Sequence, residues 1–405
     1  MTDTIDADQL ADNAGRRKFL RLAAGTGALG AAGLAGSRAA YAATDAAPAT
    51  FNAPFPVSGY AAQSADSALA PFGFNRRAVG TNDVAIEIHY CGVCHSDIHT
   101  ARGHWGQQRY PLVTGHEIAG IVTAVGSGVS DFRVGDRVGV GCMVNSCGHC
   151  GECDAGFEQY CENGSTMTYG TGVSADIEPT ETTQGGYSTG VVVDKDFVIR
   201  IPETFDLAAA GPVMCAAVTV YSPLRNWNIR KGAKVGVVGM GGLGHFAVKI
   251  AHALGAEVVV FTTSADKEED ARAFGATDVV VNYDQAKMDA HRKSLDFILN
   301  TVPVQHDMDP LVTQLKRDAT MCLVGIGDVT APNQLSPFTT IQGRNSFAGS
   351  LIGSIRETQE VIDFCDLHGI APEYQLIGFE DLNQTWEDVI EKRARYRYVI
   401  DIQNA

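Results

Sequence analysis

The stretch Lys234-Val235-Gly236-Val237-Val238, followed by Gly239-Met240-Gly241-Gly242-Leu243-Gly244, decides the fold of the second half of the chain. The first five residues read as a buried strand, and a helix with one apolar face follows through Leu254. The glycines allow a tight turn and let a pyrophosphate approach the backbone, where the N–H groups at the start of the helix can bind it. The stretch therefore predicts a dinucleotide-binding strand–loop–helix unit.

Further buried strands follow this unit at the spacing that intervening helices require. They are predicted at Glu257–Phe261, Asp278–Asn282, Leu295–Val302 and Thr320–Ile326. Strands alternating with helices are typical of a doubly wound parallel sheet, so the fold class is predicted to be α/β.

The residues after the second strand indicate which nicotinamide cofactor is bound. An acidic residue there would bind the ribose 2′-hydroxyl of NAD. The chain instead has Thr262-Thr263-Ser264-Ala265-Asp266-Lys267. The hydroxyls of Thr263 and Ser264 and the cation of Lys267 suit a 2′-phosphate, which favours NADP(H). Two alternatives stay open: Asp266 could serve NAD, and Lys267 could be a solvated helix charge.

Four cysteines lie within fifteen residues, at Cys147, Cys150, Cys153 and Cys161. Four converging thiolates match the tetrahedral, all-sulfur coordination of a closed structural zinc site, which we expect in a lobe spanning residues 147–161. A pair of disulfides and an iron–sulfur cluster are the alternatives.

A second set of metal-binding residue types is dispersed, at Cys94, His116 and Cys215. Two thiolates and one imidazole would leave a fourth zinc position open, as in a catalytic site. Each residue alone carries little weight, because single cysteines and histidines are common in protein cores. The remaining cysteines are expected to be packing residues: Cys91, Cys142, Cys322 and Cys365.

The first 42 residues resemble an export leader. Arg16-Arg17-Lys18-Phe19-Leu20-Arg21 precedes an uncharged stretch rich in Ala, Gly and Leu, and Ala40-Tyr41-Ala42 suits a signal peptidase. This arrangement predicts a twin-arginine signal, cleavage before Ala43 and export of the folded protein to the periplasm by the twin-arginine translocase. An inefficient leader would leave the protein in the cytoplasm. Residues 43–71, rich in Ala, Ser, Pro and Asp, are expected to be a linker that runs into a first strand.

Composition narrows the class of protein further. A chain of 405 residues with 45% apolar and 19% charged residues has the profile of a two-domain globular protein and excludes a disordered one. The formal charge of −16 argues against nucleic acid as a partner, because no stretch concentrates enough Lys and Arg to follow a phosphate backbone. Outside the leader we expect no apolar run long enough to span a membrane, and so no stable membrane insertion after processing.

Taken together, these motifs resemble the zinc-dependent medium-chain alcohol dehydrogenases, and in particular the cinnamyl alcohol dehydrogenases and bacterial broad-range aldehyde reductases. The resemblance covers about Phe72 to Ile402. It rests on the motifs above and on four more: Tyr90-Cys91-Gly92-Val93-Cys94-His95-Ser96-Asp97, Gly115-His116-Glu117, Gly185-Gly186-Tyr187 and Tyr396-Arg397-Tyr398-Val399-Ile400. It implies a GroES-like β-rich catalytic domain, residues 72–215 and 351–405, around a Rossmann NADP-binding domain, residues 216–350, in a homodimer.

The resemblance also implies roles for individual residues. Cys94, His116 and Cys215 would hold the catalytic zinc, with Glu117 as a neighbouring or alternate ligand. Ser96 would pass the alcohol proton through the nicotinamide ribose to His99, since an imidazole can accept and release it. The cofactor-binding residues would be His95, near the pyrophosphate, Thr219, near the nicotinamide, and the loop residues Gly239, Gly241, Gly242, Leu243 and Gly244. Trp105 is a candidate for the substrate pocket.

The expected activity is hydride transfer between NADP(H) and small-molecule primary alcohols or aldehydes, with two Zn²⁺ ions per chain. The alternatives are an NAD-linked polyol or formaldehyde dehydrogenase and an exported zinc- or nucleotide-binding protein without turnover. The sequence does not indicate the substrate side chain, nor how a periplasmic enzyme would obtain NADP(H).

Overall fold

A computed structural model describes residues 51–327, 329 and 333–404, so the predicted leader and the start of the predicted linker lie outside the described residues. The strands are β1 (Phe55–Ala62), β2 (Leu69–Arg76), β3 (Asp83–Val93), β4 (Ile118–Val125), β5 (Arg137–Val140), β6 (Met143–Asn145), β7 (Thr166–Met167), β8 (Gly190–Asp194), β9 (Ile199–Arg200), β10 (Lys234–Val238), β11 (Glu257–Thr262), β12 (Asp278–Val281), β13 (Leu295–Asn300), β14 (Leu315–Leu323), β15 (Ser346–Gly349), β16 (Tyr374–Ile377) and β17 (Arg397–Asp401).

The α-helices are α1 (His95–Ala101), α2 (Gly151–Asp154), α3 (Leu207–Pro212), α4 (Val218–Asn226), α5 (Gly244–Ala253), α6 (Glu268–Ala273), α7 (Gln285–His291), α8 (Asp309–Val312), α9 (Pro337–Gly343), α10 (Ile355–His368) and α11 (Leu382–Ile390). A π-helical segment, Val213–Ala217, joins α3 to α4. Short 3₁₀ segments occupy Glu158–Tyr160, Lys195–Phe197, Ala265–Lys267 and Phe379–Asp381.

The second half of the chain forms a six-stranded parallel sheet in the order β12-β11-β10-β13-β14-β15. Its central strands are buried on both faces: Val258 and Val260 of β11 pack in one apolar cluster, and Val259 and Phe261 in another. Burial of both faces is the rule for parallel sheets covered by helices. The α/β prediction is confirmed. The strand predicted at 320–326 is Leu315–Leu323, and the sequence reading missed the edge strand β15.

The rest of the described chain is built on a seven-stranded mixed sheet. Its order is β16-β17-β3-β4-β5-β9, with β8 also paired to β3. The last strand of the chain, β17, lies antiparallel to β3, so the C-terminal segment returns to the first half of the molecule. This pairing brings Arg397 beside the segment that carries Cys94.

A two-stranded antiparallel hairpin, β1–β2, occupies much of the stretch expected to be a linker. Val57, Ala61 and Leu69 pack into the apolar core of the first half, and the backbone N–H of Tyr60 donates to the carbonyl of Tyr187 at 2.9 Å. The linker prediction therefore differs from the structure over residues 55–71. The buried residues of β1 are small and the stretch contains Ser and Pro, so the strand period was easy to miss.

One continuous helical segment, Leu207–Asn226, crosses the predicted domain boundary at 215/216. Among the described residues, it is the one helix that is long and apolar enough to cross a membrane. By length and composition, the prediction that no such apolar run lies outside the leader was therefore wrong. Its apolar window is 89% buried within the protein, and core helices meet the same criterion. Because Pro212 lacks an N–H and crowds the preceding turn, the helix widens into the π segment that carries Cys215.

Candidate active site and zinc centres

Cys94, His116, Glu117 and Cys215 converge although they lie up to 121 positions apart in the sequence. Their ligand atoms all lie within 4.8 Å of one another, and all four residues are buried. The His116 Nε2 atom is 3.2 Å from the Cys215 sulfur. Two thiols, an imidazole and a carboxylate form a donor set that suits zinc, so these residues fit the metal that their types predicted.

The position of these groups follows from local structure. Cys94 caps the start of α1, where its N–H donates to the Asp97 carboxylate at 2.9 Å. Cys215 projects from the π segment, and π turns commonly occur at functional sites. Gly115 precedes His116 with φ +100°, and a Cβ there would lie 2.6 Å from the Tyr187 ring. Only glycine combines that backbone conformation with that close approach.

Asp97, which the sequence reading gave no role, organises the set. Its buried carboxylate accepts four hydrogen bonds, from Cys94 N (2.9 Å), Gly115 N (3.0 Å), His116 Nδ1 (2.9 Å) and Tyr187 OH (2.8 Å). Although burial opposes a charged imidazole, the Asp97 carboxylate raises the pKa of His116 well above its usual range. A bound metal would replace that ring proton at Nε2, while Asp97 would hold the tautomer by its bond to Nδ1.

Glu117 lies behind the other three donors and does not line the cleft described below. It is fully buried and forms an ion pair with the guanidinium of Arg397 through Oε1. Burial raises the pKa of Glu117 to about 7, against the lowering effect of the Arg397 charge. Its Oε2 atom has no hydrogen-bond partner among the described residues, which leaves one carboxylate oxygen free for an ion. The sequence motif that contains Arg397 did not indicate this ion pair.

The four-cysteine lobe also gathers its thiols. Cys147 and Cys153 have sulfurs 3.9 Å apart, Cys150 and Cys161 have sulfurs 4.0 Å apart, and the four sulfurs lie within 4.8 Å of one another. Zinc–sulfur bonds of about 2.3 Å place the sulfurs of a tetrahedral site about 3.8 Å apart, so this lobe fits a structural zinc. All ten cysteines are free thiols.

The lobe is anchored to the chain that borders the cleft. Tyr160 OH accepts a hydrogen bond from Leu351 N at 3.1 Å, and the Glu158 carboxylate accepts one from Ile355 N at 3.2 Å. The backbone N–H of His149 donates a hydrogen bond to the Cys147 sulfur. Together with further hydrogen bonds, it lowers the pKa of the Cys147 thiol to about 6, which favours the thiolate that binds metal.

A cleft of about 940 Å³ connects the catalytic set to the glycine loop. Cys94, His116 and Cys215 border one part of it, and Met167 and Ile352 supply apolar walls packed against the cysteines. The predicted cofactor-binding residues line it as well: His95, Thr219, Gly239, Gly241, Gly242, Leu243, Thr263, Ser264 and Lys267.

The glycine loop has the shape that a dinucleotide needs. Gly239 has φ +92°, a conformation that other residues rarely adopt, and a Cβ on Gly244 would lie 2.1 Å from the Gly239 carbonyl oxygen. A Cβ on Gly241 would meet nothing within 4 Å, so that side of the loop opens toward the cleft. The observed loop, strand β10 and helix α5 thus fit a bound pyrophosphate.

Of the two predicted proton-relay residues, Ser96 borders the cleft and His99 lies behind its lining. Ser96 lines the cleft, and its hydroxyl lies 3.6 Å from the Cys94 sulfur. His99 is 9% exposed and is not among the described lining residues; its ring stacks between His95 and Trp105. Trp105 does line the cleft, and its indole N–H donates to the Gly327 carbonyl at 2.9 Å, which links the turn after α1 to the segment after β14.

Two families match successive parts of the chain. The alcohol dehydrogenase GroES-like domain matches residues 80–203, and the zinc-binding dehydrogenase family matches residues 242–366. Aldehyde reductase YahK of Escherichia coli is 49% identical over 341 residues, which are 84% of this chain and 96% of that protein. NADP-dependent alcohol dehydrogenase C 1 of Mycolicibacterium smegmatis is 47% identical over 346 residues, 85% of this chain and 97% of that protein.

A solved structure agrees with this result. The cinnamyl alcohol dehydrogenase of Helicobacter pylori, complexed with NADP(H), has a TM-score of 0.82 and 41% identity, and the match covers 87% of this chain and 99% of that one. The chain therefore belongs to the zinc-dependent medium-chain alcohol dehydrogenase family. It is an oxidoreductase that acts on alcohols and aldehydes, as the sequence motifs predicted.

Proposed function

We propose that this protein interconverts primary alcohols and aldehydes with NADP(H), using one catalytic and one structural zinc. The supporting observation is that one cleft is bordered by Cys94, His116 and Cys215, by the glycine loop, and by Thr263, Ser264 and Lys267. When bound, zinc supplies a Lewis acid for the alcohol or carbonyl oxygen and the nicotinamide supplies or accepts the hydride.

The chain's own residues bind, orient and move a proton. Cys94, His116 and Cys215 would hold the catalytic zinc, with Glu117 behind them as an alternate ligand. Ser96 would exchange a proton with the alcohol or carbonyl oxygen, and His99 would accept it through the nicotinamide ribose. Cys147, Cys150, Cys153 and Cys161 would hold the structural zinc. The apolar walls next to the cysteines suit an aldehyde with a bulky apolar or aromatic group.

The preference for NADP(H) rests on how the charges after β11 are partnered. The carboxylate of Asp266, the alternative NAD-binding residue, forms an ion pair with Arg395, which also lies 3.6 Å from Asp270. Lys267 is buried beside the cleft, donates to the Met240 carbonyl at 3.1 Å, and has its pKa lowered by burial. A 2′-phosphate would give this buried ammonium a counter-charge, whereas NAD would not.

The experiment is a cofactor-resolved assay on the full chain with metal analysis of the same sample. Reduction of benzaldehyde and cinnamaldehyde is followed at the nicotinamide absorbance with NADPH and with NADH. We expect faster turnover with NADPH and two zinc ions per chain. Faster turnover with NADH would favour the alternative NAD-linked dehydrogenase, and two zinc ions without turnover would favour a binding protein.

We also propose that the leader directs the enzyme to the periplasm through the twin-arginine translocase, which accepts folded proteins. The support is the Arg16-Arg17-Lys18-Phe19-Leu20 motif and the peptidase site before Ala43. Fractionation of cells expressing the wild type and an Arg16→Lys/Arg17→Lys variant tests this. We expect only the wild type in the periplasm, carrying tightly bound nucleotide. Equal cytoplasmic retention of both would show that the leader is inefficient.

Finally, we propose a homodimer formed through strand β15. This strand pairs with β14 on one side and lies at the sheet edge, and Phe347 is 46% exposed. The adjacent helix α9 carries Phe338 and Ile341, which are 66% and 72% exposed. A second copy would cover this apolar surface and pair the edge. Analytical ultracentrifugation should give twice the chain mass, and a Phe347→Lys variant should sediment as a monomer.

A further inference from the structure

The segment that follows β11, residues 266–270, carries four acidic residues and one lysine, so its formal charge is −3. Its lysine, Lys267, is buried and lines the cleft together with Ser264. A phosphate monoester carries about −1.5 to −2 charges near pH 7. A 2′-phosphate that binds Lys267 therefore lies near carboxylates that repel it, unless other groups hold or neutralise them.

Two of these carboxylates are held by the chain just before β17. Asp266 forms an ion pair with Arg395. Asp270 accepts a hydrogen bond from the Tyr396 hydroxyl at 2.5 Å. The segment that returns to the first half of the molecule thus supplies the partners of two acids in the parallel-sheet half.

Arg395 compensates charge without entering the cleft. The next residue, Tyr396, lines the cleft, whereas Arg395 is not among the described lining residues. The Arg395 guanidinium pairs with Asp266 and lies 3.6 Å from Asp270. In the part of the chain that the structure describes, Arg395 is the one basic side chain that forms an ion pair with Asp266. Loss of Arg395 would therefore leave the Asp266 carboxylate free to turn toward Lys267.

The same two charges act on Lys267. Its ammonium donates to the Met240 carbonyl at 3.1 Å and lies 5.4 Å from the centroid of the Tyr396 ring. Burial lowers the pKa of Lys267, the Arg395 charge lowers it further, and the Asp266 charge raises it. Arg395 and Asp266 are thus both close enough to Lys267 to act on a charged group bound beside it.

We propose that Arg395 is a positioning residue that determines the preference for NADP(H), because it holds the Asp266 carboxylate away from the 2′-phosphate beside Lys267. The inference rests on the proposed function, in which Lys267 binds that phosphate. An acidic side chain at this point of a dinucleotide site binds the ribose 2′-hydroxyl of NAD. Arg395 therefore withdraws an acid that favours NAD and adds a positive charge that favours the phosphate.

The central experiment measures nucleotide binding to the full chain by isothermal titration calorimetry, without turnover. The ligands are adenosine 2′,5′-bisphosphate and adenosine 5′-monophosphate, which differ only in the 2′-phosphate. For Arg395→Gln we expect about tenfold weaker binding of the bisphosphate at low salt, because the lost charge faces a nearly doubly charged group. Binding of the monophosphate should be no weaker than in the wild type.

Arg393→Gln is the matched control. It removes the same charge two positions earlier in the chain, from an ion pair with Asp388. This variant should bind both nucleotides as the wild type does.

Two further measurements separate an effect of charge from an effect on structure. Adding Asp266→Asn to Arg395→Gln removes the freed carboxylate, so the double variant should recover bisphosphate binding to within about threefold of the wild type. The difference between Arg395→Gln and the wild type should also shrink as NaCl is raised from about 0.02 to about 0.5 M, since salt screens exposed charges.

The outcomes are distinguishable. If Arg395→Gln binds the bisphosphate as tightly as the wild type, or weakens both nucleotides equally, the inference is overturned and the proposed function stands. A loss that Asp266→Asn does not rescue, or that salt does not reduce, also overturns the inference. A wild type that binds the bisphosphate no more tightly than the monophosphate overturns the NADP(H) preference of the proposed function, and the inference falls with it.

Discussion

The Asp97→Asn substitution tests whether the hydrogen bonds behind the catalytic set hold the metal. Asp97 is fully buried, and each of its oxygens accepts two hydrogen bonds: Gly115 N and His116 Nδ1 on Oδ1, and Cys94 N and Tyr187 OH on Oδ2. An amide at this position keeps one acceptor oxygen and presents two N–H donors at the other.

The free energy lost in the Asp97→Asn variant depends on which way round the new amide is placed. With its oxygen toward Gly115 and His116, the Tyr187 hydroxyl can rotate to accept from the amide, and the bond from the Cys94 N–H is lost. The reverse placement loses the bonds from both Gly115 and His116. The first is therefore favoured, and one bond to a charged acceptor is worth about 1.5–3 kcal/mol. That agrees with the 10- to 100-fold loss, on the order of 1.4–2.8 kcal/mol, typical when a partner of a metal ligand is removed.

The assay is zinc release to a chromophoric chelator from the full chain. The wild type should release two ions in separate phases, and the variant should release one ion about 10- to 100-fold more readily while the other is unchanged. Asp131→Asn, at an exposed carboxylate, is the control. An Asp97→Asn variant with wild-type zinc release and wild-type turnover would refute the assigned role of this carboxylate.

Three further outcomes are expected. Lys267→Ala should raise the KM for NADPH about tenfold or more and leave that for NADH unchanged in steady-state kinetics, since a charged hydrogen bond is worth about 1.5–3 kcal/mol; equal changes would contradict the 2′-phosphate assignment. Cys153→Ser should lower the zinc content from two ions to one and reduce Tm by calorimetry; retention of both ions would exclude the structural site. Burial raises the pKa of Asp278, but hydrogen bonds from His291 and Lys287 outweigh it and lower that pKa to about 2. Asp278→Asn should therefore lose stability to urea at pH 7, and its difference from the wild type should shrink as pH falls from about 4 to about 2; a difference that persists below pH 2 would contradict this.

The features that the sequence predicted well are those encoded in short stretches. The glycine loop, the strand before it and the cysteine lobe each depend on residues fewer than twenty positions apart, and their spacing alone restricts the chemistry. The catalytic set needed more than spacing: Cys94 and Cys215 come together because helix α3, which leads into the π segment, packs against β3. Here the family resemblance supplied what local patterns could not.

The features that the sequence left unassigned depend on long-range pairing. Arg397 reaches Glu117 across 280 positions because β17 returns to β3. The hairpin β1–β2 gains its stability by packing on the core rather than from strong strand propensity. The His99–His104 contact is local, yet His104 lies three residues past the end of α1, so only the turn after that helix reveals it.

Arg397 connects the two halves of the site. Its guanidinium pairs with Glu117 behind the catalytic cysteines, and a Cβ on Gly242 would lie 2.6 Å from Arg397 Nη1. The same cation therefore borders both the metal-binding set and the loop that fits a pyrophosphate. The Arg397 Nε atom is buried without a partner among the described residues, so part of the hydrogen-bonding capacity of this cation is unused. A change at Arg397 would therefore alter the surroundings of Glu117 and of the glycine loop together.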